Sequence, residues 1–119
     1  SQAPLLKKTA EYAWAALAGK RERALFVNFL LDIVPDCGCC NWTDLPIVPD
    51  LGILVSTDPV AIDQASVDLV NQAPIIPGCA IDDGPRSGDH FMDIHQHAYD
   101  GLLAHAEKLG LGSRSYELV

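Results

Sequence analysis

Two apolar runs with no helical pattern between them constrain this chain more than any other feature. Residues 24–34 read ALFVNFLLDIV and residues 51–56 read LGILVS. Both are rich in strand-forming residues, and Pro35 stops the first. The sixteen residues between them carry Pro35, Gly38, Pro46 and Pro49 and show no periodicity. A parallel pair needs a crossover of a dozen or more residues, usually a helix. The runs are therefore expected to be antiparallel neighbours, or strands separated by one from elsewhere, rather than a βαβ unit. They are too apolar for edge strands, so they are expected to be central and packed by helices.

Helical patterns flank them. Leu6, Ala10, Ala13, Trp14 and Leu17 recur at helical spacing over 3–18, and Gly19 can end that helix. Asp58 suits an N-cap and Pro59 the first helical position. Ile62, Ala65, Ser66, Leu69 and Ala73 follow on one stripe, closed by Pro74 and Pro77. Residues 78–90 form a loop rich in Gly and Asp. A third helical pattern covers 91–109, with a break expected near Asp100-Gly101. Gly110 sits where a left-handed cap belongs, with Leu111 as its apolar contact. Tyr116 to Val119 reads as a short edge strand. The order predicts an α/β or α+β fold, a small mixed sheet with two or three helices packed on it.

At 119 residues the chain is one domain by length. Hydrophobic residues make up 49% and charged residues 20%, a globular balance. The chain opens at Ser1 directly into a helical pattern, and is expected to be a piece of a longer polypeptide. The net charge of −8 argues against nucleic acid, which needs cations to replace phosphate counterions. No apolar run reaches the ~18 residues of a spanning helix. Three of four cysteines fall within four residues, unlike a secreted disulfide framework, so a reducing, cytoplasmic setting is expected.

Those three cysteines are the main chemical signal. The string 36-DCGCCNWTD-44 holds a C-x-C and a C-x-x-C spacing. Thiolates at such spacings can meet one soft metal, and Gly38 gives the backbone freedom to fold around it. Zinc takes four N/S ligands and an iron–sulfur cluster about four cysteines. Adjacent Cys39 and Cys40 rarely both ligate one ion, so Cys79, His90 and His95 are candidates for the remainder. Loop 35–50 also shows few apolar residues to hold it, which suggests that something else fixes it. The rival readings are a small buried side chain, since free Cys is often buried, and a disulfide to Cys79. A thioredoxin-type pair fits poorly, because residues 41–49 open no helix.

Other polar residues have plainer readings. His95 shares an apolar stripe with Ala98, Leu102 and Leu109, where a histidine is more often core than ligand. His97 and His105 read as solvated, and His90 as a helix start capped by Asp89. Asp82, Asp83, Asp89 and Asp93 lack calcium-loop spacing and read as loop carboxylates. Asp63 and Asp68 fall on the polar side of the second helix.

The strings P-x-C-x-C, PIVPDLGIL and DPVAIDQASVDLV, within Phe26 to Asn71, resemble the C-terminal part of the family called domain of unknown function 362. The segment 106-AEKLGLGSRSYEL-118 resembles that family's ending. The resemblance implies an iron–sulfur-associated protein; many members carry a ferredoxin-type insert that this chain lacks. Members typically read C-D-C followed by an aromatic or glycine, so Cys37 and Cys39 match and Cys40 departs. The expectation is a metal- or cluster-associated domain that supports electron transfer with a redox partner protein. Cys37 and Cys39 are its leading ligands, with Cys40, Cys79 and His95 in reserve, and zinc is the alternative to iron and sulfur. The rivals are a structural α/β module, or an enzyme part completed by an N-terminal remainder with Asp50, Asp58 or Asp63 at the junction.

Overall fold

The computed structural model describes residues 3–96 and 99–119. Helix α1 spans Ala3–Leu17, and a 3-10 turn follows at Arg21–Arg23. Strands β1 (Phe26–Leu30) and β2 (Gly52–Ser56) come next. Helices α2 (Pro59–Gln72), α3 (His90–His95) and α4 (Asp100–Lys108) complete the fold.

The strands pair antiparallel, with Val27 opposite Val55 and Phe29 opposite Ile53. A connection without a helix favours this pairing over a parallel one. Side chains alternate faces, so Phe26, Asn28, Leu30 and Leu54 turn to α2 and the odd-numbered residues turn away. Asn28 stitches the sheet to α2. Its Nδ2 donates to Asp63 Oδ1 and to Ser66 Oγ, both at 2.9 Å. Ser66 Oγ in turn donates to the Ile62 carbonyl at 2.7 Å. An apolar run tolerates this one amide because its donors are met.

Helix α2 is the spine. Val60, in its first turn, enters one core with Ala10, Leu103, Ala106 and Leu111. Val70, near its end, enters a second with Ile47, Val48, Cys79 and Ile81. Helix α1 packs chiefly on α4 rather than on the strands. Trp14 leaves the expected buried stripe and is 46% exposed, while Ala10 is buried.

Three sequence expectations change here. The strands are a two-member sheet, so each is an edge, and the face away from α2 is open. Leu25, Val27, Phe29, Leu31, Leu51, Ile53 and Val55 are all exposed. Tyr116–Val119 is irregular, not a strand. The tail is held by side chains instead: Tyr116 OH donates to Asp68 Oδ2 at 2.7 Å. The third helical pattern splits into α3 and α4, because Gln96 takes a left-handed φ of 54 and ends α3. The break thus falls a few residues before Asp100-Gly101. The cap at Gly110 is as expected. Gly110 has φ 73, and Leu111 N–H reaches the Ala106 carbonyl at 3.0 Å, as a Schellman end requires.

Candidate functional site

The cysteine loop leaves the end of β1. Asp32 takes φ 48 there, and its N–H donates to Asp50 Oδ1 at 2.9 Å, which ties the two strand ends together. Pro35 is buried. On the far side Ile47 and Val48 are 0% and 1% exposed. Ile47 N–H donates to the Ile33 carbonyl at 2.8 Å, and the Ile47 carbonyl accepts from Ile76 at 2.9 Å. The expectation that loop 35–50 lacks apolar anchors is therefore wrong for its second half. Two residues plug it into the core, and only the stretch 37–45 stands out fully exposed.

Within that stretch a tight turn gathers the thiols. The Cys40 N–H donates to the Cys37 carbonyl at 3.0 Å, and the Cys39 N–H donates to Cys37 Sγ at 3.4 Å. Cys37, Cys39 and Cys40 are all exposed and free. Hydrogen bonding from the Cys39 side chain, and then from its backbone N–H, holds the Cys37 thiol below its ordinary range. Cys39 moves the opposite way. Its hydrogen bond to Cys37 and the charge building there keep its proton on. One sulfur of the pair is thus favoured as thiolate, the form that binds metals and attacks electrophiles. Trp42 stands 60% exposed two residues beyond Cys40. Nothing in the sequence pattern signals that exposure.

The reserve ligands lie elsewhere. Cys79 is buried in the core with Ile47, Val48, Val70 and Ile81. His95 is exposed at the end of α3. His90 is buried, its Nε2 3.1 Å from the Ala73 carbonyl and its N–H bonded to Asn71 Oδ1. His105 is half-buried rather than solvated, and meets Glu11 Oε1 at 3.2 Å. His97 and Ala98 lie outside the described residues. Among the described residues, no three His, Cys, Asp or Glu side chains gather so as to hold a metal ion. The Cys37–Cys39 turn offers a two-thiolate corner, short of the four donors that zinc or a cluster takes. The donor type fits a soft metal; the donor number requires ligands beyond the turn.

The aspartates are mostly structural. Asp58 Oδ1 accepts from Val60 and Ala61 N–H at 2.9 and 3.0 Å, and its Oδ2 accepts from Ser113 N–H at 2.9 Å. It caps α2 and clamps the tail at once. Gly112 makes this possible, since a Cβ there would lie 1.9 Å from Asp58 Oδ1. Asp50 and Asp63 are bonded to Asp32 and Asn28. Both are exposed, and each uses one carboxylate oxygen in these bonds. Asp89 caps α3 through Phe91 and Met92 N–H. Asp82 binds Gly78 N–H and Arg86. The backbone N–H and then the hydroxyl of Ser87 hold Asp93 below the usual carboxylate range. Its buried Oδ2 has no partner among the described residues.

The geometry defines a mixed α/β module: four helices and an antiparallel strand pair that packs on α2 by one face, with an exposed thiol turn leaving the sheet. The chain belongs to the family described as Domain of unknown function (DUF362), whose model matches residues 2–68. That match runs from α1 through the cysteine loop into α2, so the thiol turn is inside it and the 106–118 tail is not. No curated protein and no solved structure matches the chain.

Proposed function

We propose that the Cys37–Cys39 turn supplies two thiolates to a soft metal, iron–sulfur or zinc, whose remaining ligands come from another polypeptide segment. The single observation that carries this reading is the turn itself. It holds two exposed sulfurs together, one of them biased towards thiolate, on a loop whose two ends are pinned. Cys40, in the same turn, is a reserve donor. Cys79 is left out, because an apolar cluster surrounds it. His95, exposed and free of such packing, remains a reserve.

The missing donors would come from an N-terminal part of a longer family member or from a redox partner protein. The role would be electron transfer or support of a neighbouring cluster in a reducing, cytoplasmic setting. No helix among the described residues is long and apolar enough to cross a membrane. A bound metal would supply the redox or Lewis-acid chemistry; the chain's own part is to present thiolates and keep the turn rigid.

The test is metal analysis with a visible spectrum on anaerobically prepared protein, beside the Cys37→Ser, Cys39→Ser double variant. The reading expects iron or zinc in the parent protein and its loss in the variant. Equal metal in both would remove these cysteines as ligands.

A further inference from the structure

The open sheet face is a continuous apolar surface. Val27, Phe29, Ile53 and Val55 form two directly opposed pairs on it, flanked by three leucines. Exposed by 37–65% each, these seven side chains present on the order of 600 Å². That equals or exceeds the largest apolar patch of an ordinary monomer. Two such faces together bury about 1,200 Å², the lower bound of a stable interface.

The charge around the face says what covers it. Lys20, Arg21 and Arg23, with Glu22 among them, lead into β1, and no Lys or Arg occurs between Arg23 and Arg86. Lys20 and Arg21 are bonded to the carbonyls of Ala16 and Leu111. Arg23 is exposed and makes no ion pair among the described residues. At the other end of the pair stand Asp32 and Asp50, joined by the bond from the Asp32 N–H to Asp50 Oδ1. The face is thus apolar in the middle, with a basic end and an acidic end. A surface of that kind is complementary to itself when a second copy runs the other way.

We propose that this face docks a second copy of the chain, sheet on sheet. The two-fold axis lies in the interface and crosses the strands. That operation reverses the strand direction and sets each Arg23 over the partner's acidic end. Aligned sheets pack about 10 Å apart at an angle of about 30°. The net charge of −8 opposes association only weakly, because salt screens it beyond about 8 Å.

Sedimentation equilibrium of the 119-residue chain from about 1 to 200 μM tests this, spanning the micromolar constants of interfaces this size. The expected result is a monomer–dimer equilibrium. Phe29→Lys, at an exposed site, should abolish it, with the fold checked by circular dichroism. Arg23→Glu should weaken it about tenfold or more, as should Asp32→Lys, through like-charge contact. The double variant Arg23→Glu, Asp32→Lys should recover most of the affinity, because each arm of the pair is reversed. Asp50→Lys, at an exposed site beside it, replaces Asp32→Lys if the latter misfolds. A monomer at every concentration overturns the proposal. So does a dimer that survives Phe29→Lys, which points to pairing through strand edges. Failure of the double variant to recover overturns the antiparallel arrangement, leaving a dimer in which the two copies run the same way.

Discussion

The turns that follow the two strands make opposite use of similar chemistry. After β2, the Asp58 carboxylate takes three backbone N–H groups, and Gly112 presses against it. Its bonding is filled from within the fold. After β1, Cys37 and Cys39 have only each other and the turn backbone. A polar group whose partners are all internal holds a structure together. One held in place but left open is available to a ligand. The difference marks the turn after β2 as structural, and it is the basis of the ligand role proposed for the turn after β1.

The comparison breaks first at the anchor of the loop. Ile47→Ala removes a fully buried side chain and should cost about 2–5 kcal/mol, read as a lower urea midpoint. A change near zero would mean that something other than the apolar plug holds the loop. Gly112→Ala should cost about 1–3 kcal/mol, because the new Cβ meets a carboxylate fixed by three N–H bonds. Asp58→Ala should cost about 1–2 kcal/mol through the lost cap. In both, the rate at which iodoacetamide labels Cys37 should stay at its parent value. A large change in that rate would couple the two turns.

The high-pH limb offers a subtler probe. Burial, and then a hydrogen bond with Asp89, push Tyr99 up to about 12 from 10.0. The folded state favours the neutral phenol, so its contribution is complete below pH 10 and is lost as pH rises towards about 12. The urea midpoint of the parent protein should fall over that window, and that of Tyr99→Phe should fall less. Parallel declines would remove Tyr99 as a source. The smallest stability effect belongs to the thiol turn. Cys37→Ser with Cys39→Ser should move the midpoint by no more than about 0.5 kcal/mol, as exposed substitutions do. A larger loss would give the pair a structural role.

Local chemistry was legible in the sequence wherever it acts over a few residues. The Asp58–Pro59 start of α2, the Gly110 cap and the antiparallel strand pair all follow from near neighbours. Contacts over longer separations were not. Ile47 and Val48 sit between prolines with no period, so no pattern marks them as the most buried residues of their loop. The bond from Ser113 to Asp58 joins positions far apart in the chain, and only Gly112 hints at it. The strands' composition signals two covered faces, whereas the described chain covers one. Of the candidate ligands, the close spacing of Cys37 and Cys39 was readable, while the burial of Cys79 depends on the second core.

The central claim is that the turn after β1 is a pinned, open pair of thiolate donors. Anaerobic titration with cobalt(II), followed by its thiolate charge-transfer absorption, tests it most directly. Cobalt(II) probes zinc-type sites and reports sulfur ligation by colour. The account predicts a band that grows with added metal, weakens as the pH falls because binding releases thiol protons, and vanishes in the Cys37→Ser, Cys39→Ser variant. An unchanged band in that variant, or none in the parent protein, would contradict it.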